Sequence, residues 1–171
     1  MDALDRTVTV RSARSSDAGD IARLTGQLGY DVETSSLDAR LASLLARPDQ
    51  LFVIAAADGH VVGWLHAAIF EDIETDPYVV IAGLVVDSAH RRLGIGRQLL
   101  AEAERWAKEQ QCSVVRLWSS AGRTAAHQFY ERVGYKNIKT QYSFVKSVNG
   151  DERDFSAFVP HLAGAAGGDE D

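Results

Sequence analysis

Val85-Val86-Asp87-Ser88-Ala89-His90-Arg91-Arg92-Leu93-Gly94-Ile95-Gly96-Arg97 is the stretch that decides the fold of this chain. It joins an apolar run, Tyr78 to Val86, through a short turn to an amphipathic helix that begins near Gly94. Arg91, Arg92 and Arg97 flank the two glycines. Backbone N–H groups at a helix start, room for close approach and adjacent positive charge together make an anion cradle. The expected ligand is a phosphate-bearing molecule.

The surrounding sequence reads outward from this junction. Downstream, Ile95, Leu99, Ala103, Trp106 and Ala107 fall on one helical side, with Gln98, Glu102, Arg105 and Glu109 on the other. Ser113–Trp118 reads as a strand, and Arg123–Val133 as a helix ended by Gly134. Lys136–Ser147 reads as a final strand or two. Upstream, Tyr78–Val86 is nearly all apolar, as for a strand covered on both faces. Leu51–Ala57 and Val61–Phe70 are strands joined by Asp58-Gly59, a two-residue hairpin turn. Helices are expected from Ala18 to Leu28, stopped by Gly29, and from Ser35 to Ala46, with Thr7–Val10 a short strand before them. Ser15-Ser16-Asp17 offers a cap for the first helix. Hairpins early and strand–helix–strand units late predict an α/β fold with one central mixed, twisted sheet, flanked by about four helices.

Composition bounds the function. The chain has 171 residues, is 46% hydrophobic and has a net charge of −6. That length suits a single domain, read here as residues 5–148, with a polar tail over 149–171 whose end is too poor in apolar residues to order. Net negative charge argues against nucleic acid as a partner, because nonspecific binding there draws on Lys and Arg. No apolar stretch approaches the ~18 residues of a membrane span. A lone cysteine, Cys112, excludes an intrachain disulfide. With no signal-peptide pattern at the first residues, a cytoplasmic protein is expected. His60, His90, His127 and His161 are scattered and show no metal-ligand spacing, so no metal is expected.

Two phosphate-site patterns fail at the cradle. Gly94-Ile95-Gly96-Arg97-Gln98-Leu99 lacks the third glycine of a dinucleotide fingerprint, and no Gly-x-x-x-x-Gly-Lys-Ser/Thr exists. What stands is Arg91-x-x-Gly94-x-Gly96 after a strand ending Leu84-Val85-Val86. Here the sequence resembles the GCN5-related N-acetyltransferase superfamily, whose signature is Arg/Gln-x-x-Gly-x-Gly/Ala. A second stretch, Ala125-Ala126-His127-Gln128-Phe129-Tyr130-Glu131-Arg132-Val133-Gly134-Tyr135, is similar to that family's Ala-x-x-Phe-Tyr-x-x-x-Gly-Tyr/Phe motif. The likeness runs from roughly Val8 to Val145.

The resemblance implies acetyl-CoA as co-substrate. Arg91, Arg92, Leu93, Gly94, Ile95, Gly96 and Arg97 would line its pyrophosphate, chiefly through backbone amides. Leu84, Val85 and Val86 would pair by main chain with the pantetheine arm. Gly83 marks either a bulge or a place of close packing. Tyr130 would protonate the leaving thiolate. Many relatives carry Asn where this chain has Arg123, so the contact near the coenzyme arm falls to Arg123 or to Ser119 and Ser120; those serines are alternatively helix caps.

The base is less direct. Relatives often place a Glu on the strand before the coenzyme site, and Val79–Val86 has no carboxylate. The candidates are Glu71, Asp72, Glu74 and Asp76 on the preceding loop, with Glu74 and Asp72 first, or His66 on its strand. As a set the four carboxylates would attract a cationic amine. The expected activity is acetyl transfer to a primary amine of a small molecule by direct attack, in a protein that forms a homodimer. The alternatives are a non-catalytic acyl-CoA-binding regulator, and a protein or peptide N-acetyltransferase.

Overall fold

A computed structural model describes residues 7–30 and 32–150 of the chain. The N-terminal and C-terminal stretches read above, including His161 and most of the polar tail, lie outside the described residues. The chain divides into two compact units, one ending at Leu117 and one beginning at Trp118.

The first unit is a five-stranded mixed sheet with helices on both faces. The strands are β1 (Thr9–Ser12), β2 (Gln50–Ala57), β3 (His60–Phe70), β4 (Tyr78–Val86) and β5 (Val115–Leu117), in spatial order β1-β2-β3-β4-β5. Neighbours run antiparallel up to β4, and β4 pairs with β5 in parallel. The β2–β3 turn forms as its Asp-Gly pair demands. Asp58 has φ +51° and Gly59 φ +81°, the left-handed geometry of a two-residue hairpin loop.

Successive residues of β3 point to opposite faces, and each face has its own helical cover. Trp64 joins Ala13, Ala18, Ile21, Leu24, Leu41, Phe52, Ile54, Val61 and Val85 in a core beneath α1 (Ala18–Gly26) and α2 (Thr34–Leu45). Gly63 faces the other way. A Cβ placed on it would lie 3.2 Å from Leu99 and 3.3 Å from Ile95, so α3 (Ile95–Glu109) rests directly on that glycine. The expected apolar stripe of α3 is buried, with Leu100 added to it.

Several boundaries differ from expectation, each for a local reason. α1 ends at Gly26, because Gln27, Leu28 and Gly29 bond three residues back rather than four. This tighter last turn is common at helix ends. Asp17 precedes α1 but does not cap it with its side chain. Its carboxylate binds Arg11 and the Arg14 N–H instead, at 2.8 Å each. On α2 only Leu41 is fully buried, and Leu45 is exposed. β4 is covered on both faces only in its first half. Tyr78 to Ile81 are buried, whereas Ala82 is exposed and Gly83 and Leu84 are half-buried. Cys112, three residues before β5, is buried.

In the second unit the described regular element is α4 (Thr124–Arg132). Residues 136–147 carry no strand. Ile138, Tyr142, Phe144 and Val145 supply apolar residues for one, but all four are exposed. Apolar residues alone do not make a strand, which also needs a partner for its N–H and C=O groups. No ladder forms here among the described residues.

Candidate active site

The site begins with a break in the β3–β4 ladder. His66 pairs with Gly83 and Ala67 with Ile81, so Ala82 is an extra residue bulged out of β4. On the other side β5 pairs only with Val79, Val80 and Ile81. From Ala82 to Val86, β4 therefore has no strand on its β5 side among the described residues, while β3 still pairs with Gly83 to Val86. The Val85 carbonyl lies 2.9 Å from where a Gly63 Cβ would be, and the Asp87 N–H donates to Val62 at 2.9 Å. Both point toward β3. Strand alternation then turns the N–H and C=O of Leu84 and Val86 toward the unpaired edge. The Val86 carbonyl accepts there from Arg91 Nε, at 3.4 Å.

Gly83 serves both of the purposes suggested for it. It sits at the bulge, and a Cβ on it would meet the Trp64 ring at 2.6 Å. Trp64 is thus a packing residue of the α1–α2 core, its ring tilted against Phe52 at a centroid distance of 5.5 Å.

The turn after β4 is tied down by α1. The Asp87 carboxylate accepts from the Ala89 N–H at 3.0 Å and from Arg23 at 2.9 Å. Those two bonds, the Ala89 one first, hold its pKa below the usual carboxylate range. Arg23 also donates to the Val61 carbonyl at 3.0 Å, and the Gln27 side chain accepts from the Ser88 N–H at 3.0 Å. Nothing in the sequence pairs Arg23 with Asp87, 64 positions away; only the fold brings them together.

Beyond that turn the backbone coils into the cradle. Arg92 has φ +66° and Gly94 φ +79°, both left-handed, and α3 starts at Ile95. The first N–H groups of a helix have no partner within it, and no side chain caps this one. Nothing lies within 4 Å of a Cβ placed on Gly94, so the approach to those N–H groups is open. Arg91, Arg92, Leu93 and Arg97 are exposed around them, Gly96 is half-buried, and the Ile95 side chain is core, leaving only its main chain to face a ligand.

The acidic loop joins the other end of β4. From Tyr78 to Gly83 the strand rises roughly 16 Å at ~3.3 Å per residue. Glu71, Asp72, Glu74 and Asp76 are all exposed. Asp72 is committed to the loop itself. Its Oδ1 accepts from the N–H groups of Glu74 at 3.0 Å and Thr75 at 2.8 Å, and from the Thr75 hydroxyl at 3.0 Å. The Thr75 N–H bond leads the causes that lower its pKa. His66 stands instead at the bulge, half-buried, with Nε2 2.7 Å from Gln50 Oε1 and its ring stacked on Phe52.

In the second unit Tyr130 is half-buried on α4, its ring 5.3 Å from Phe129 and 5.9 Å from Tyr135. Burial raises its pKa, against a smaller opposing effect of Arg123. Arg123 is the residue preceding α4, and neither Ser119 nor Ser120 caps that helix. The Ser120 carbonyl accepts from the Arg123 N–H, and His127 Nε2 bonds to it, each at 3.0 Å. The Ser119 hydroxyl is buried without a partner. Among the described residues no three His, Cys, Asp or Glu side chains are placed to hold a metal ion.

A strand left open above an uncapped, glycine-led helix start defines an acyl-CoA N-acyltransferase fold. The sequence profile of the acetyltransferase (GNAT) family matches residues 20–135, and the chain belongs to that family. It is an N-acetyltransferase, with acetyl-CoA as its co-substrate. Among known proteins it is 27% identical over 146 residues to aminoglycoside N(6')-acetyltransferase type 1 of Acinetobacter haemolyticus, a match covering 83% of this chain and 100% of that one. It is 32% identical over 98 residues to human N-acetylaspartate synthetase, covering 57% of this chain and 32% of that protein. The crystal structure of an aminoglycoside 6'-N-acetyltransferase from Acinetobacter haemolyticus superposes with a TM-score of 0.72 at 26% identity, over 82% of this chain and 99% of that one.

Proposed function

We propose that this enzyme acetylates a primary amine of a small cationic molecule by direct attack on the thioester of acetyl-CoA. The observation that carries the reading is the unbroken path from the unpaired edge of β4 to the uncapped start of α3. The pantetheine arm pairs with the main chain of Leu84 and Val86 as an added half-strand would, while Val85 between them keeps its polar groups toward β3 and does not take the pairing expected of it. The pyrophosphate accepts hydrogen bonds from the N–H groups of Leu93, Gly94, Ile95, Gly96 and Arg97, with the guanidinium groups of Arg91, Arg92 and Arg97 beside it. The acidic loop supplies the field that draws in a cation. Asp72 shapes that loop, and Glu74 is the carboxylate we assign to receive the ammonium group.

Tyr130 is assigned the proton that the leaving thiolate needs, with Ser120 and Arg123 serving the coenzyme arm. The phenol of Tyr130, already ~10 when exposed and raised further by burial, stays protonated and able to donate at neutral pH. The end-to-end likeness to an aminoglycoside acetyltransferase supports a small polyamine-like acceptor over a protein one. A cytoplasmic setting is supported by the single buried thiol, and a dimer by the uncovered apolar residues Ile138, Tyr142, Phe144 and Val148.

Mixing the protein with acetyl-CoA and a panel of polyamines, aminoglycosides and peptides, and following free thiol, tests the reading. Release is expected with the polycationic small molecules and not with peptides. Tyr130→Phe is expected to lower kcat about a hundredfold, the usual scale of a positioned acid, without changing acetyl-CoA affinity. Silence across the whole panel, with acetyl-CoA bound, would make the chain a binding protein.

A further inference from the structure

We propose that His66 is the base that takes the proton from the acceptor amine. This rests on the reading above, in which the thioester lies along the unpaired part of β4. The chemistry requires such a group. An ammonium ion has no lone pair. It must give up a proton before its nitrogen can bond to the acetyl carbon, and as the C–S bond breaks the sulfur leaves with the electron pair and takes a proton from an acid.

The residues at the bulge itself, Ala82 and Gly83, have no titratable group. The carboxylates of the acidic loop lie at the other end of β4, and Asp72 is held by its own turn. His66 is the residue in register with Gly83, one strand away. It lies two positions from Trp64 on β3, hence on the same face, the face from which the Trp64 ring covers Gly83.

The hydrogen bond to Gln50 sets its tautomer. A carbonyl oxygen only accepts, so Nε2 carries the hydrogen facing Oε1. Nδ1 is left with its lone pair, which is the site for the incoming proton. The stack on Phe52, with ring planes 16° apart, holds the imidazole in place. The charge that acts on it is that of Arg47, itself bound to Asp49 at 2.7 Å, while β4 presents only uncharged Ala82 and Gly83. Burial first, and Arg47 second, lower the pKa below 6.5, so the ring is neutral and able to accept at neutral pH.

Two variants and two acceptors test this. The acceptors are a simple alkylamine, protonated at neutral pH, and hydroxylamine, which is not. With wild-type enzyme and the alkylamine, kcat/KM is expected to fall as pH drops through the imidazole pKa. His66→Gln is expected to lose about a hundredfold with the alkylamine, to lose that acid limb, and to bind acetyl-CoA within about twofold of wild type. With hydroxylamine it is expected to recover to within a few-fold. Gln50→Glu keeps His66 but places a carboxylate beside Nε2, and is expected to shift the acid limb to higher pH. The proposal is overturned if His66→Gln keeps its rate and limb, if it loses both acceptors equally, or if Gln50→Glu leaves the limb unmoved. Wild-type enzyme that releases no thiol with either acceptor overturns the acetyltransferase reading, and this proposal with it.

Discussion

Gly94→Asp is expected to weaken acetyl-CoA binding about a thousandfold while the protein stays folded. The backbone at Gly94 is left-handed, φ +79°, and a Cβ there meets nothing within 4 Å. Asp is one of the few residues that tolerate this conformation, so the fold loses at most roughly 1–2 kcal/mol. Binding loses more. In the proposed binding mode the added carboxylate stands where the pyrophosphate would receive backbone N–H bonds at the start of α3. Charge-assisted bonds of that kind contribute about 1.5–3 kcal/mol each. Losing two of them, or opposing them with like charge, costs about 4 kcal/mol, which is ~10³ in Kd. Gly94→Asn is the control, since it shares the backbone tolerance and lacks the charge. Calorimetric titration with coenzyme A should show a small loss for Asn and a large one for Asp, with melting temperatures close together. Equal affinities for the two variants would place the pyrophosphate elsewhere.

Asp17→Ala is expected to destabilise the fold by about 3 kcal/mol. The Asp17 side chain is only 7% exposed, and its carboxylate accepts three bonds of 2.8 Å, two from Arg11 and one from the Arg14 N–H. Arg11 is 34% exposed, so part of its share is screened by water. The larger loss comes from stranding the Arg14 N–H and the inner face of the guanidinium. Urea denaturation gives the number directly. The same group sets a pH dependence. Arg11 first, with the Arg14 N–H also contributing, holds the folded-state pKa of Asp17 below its ordinary 3.8. The contribution is therefore complete above the unfolded pKa and is lost as pH falls through the lowered folded one. Asp17→Asn should flatten that part of the acid unfolding profile and leave stability near neutral pH reduced but constant. A profile unchanged by Asp17→Asn would assign the acid dependence to other carboxylates.

The cradle was legible because its chemistry is local. Strand, glycines and arginines are consecutive in Val85–Arg97, and a helix start exposes its N–H groups wherever it forms. Asp58-Gly59 was legible for the same reason, as two residues suffice to set a hairpin turn. The choice among the candidate bases was not legible in the same way. Glu71 to Asp76 and His66 all stand near the central strand in sequence, with nothing local to rank them. A loop adjacent in sequence to a strand's start is distant from that strand's middle, and a residue one strand over is near it.

By itself the sequence determined the layers, the hairpin, the glycine-led helix start and the family. Each depends on periodicity or on neighbours a few residues apart, which the covalent chain holds together. Tertiary structure alone decided where β4 bulges, that its last residues are open on the β5 side, that Arg23 and Gln27 clamp the turn at Asp87 and Ser88, and that His66 faces Gly83. Those are matters of register and of contacts between distant segments. A shift of one residue in pairing would turn His66 to the other face without changing a letter of the sequence. Residues 136–147 show the converse limit, because apolar residues that suit a strand cannot provide its partner.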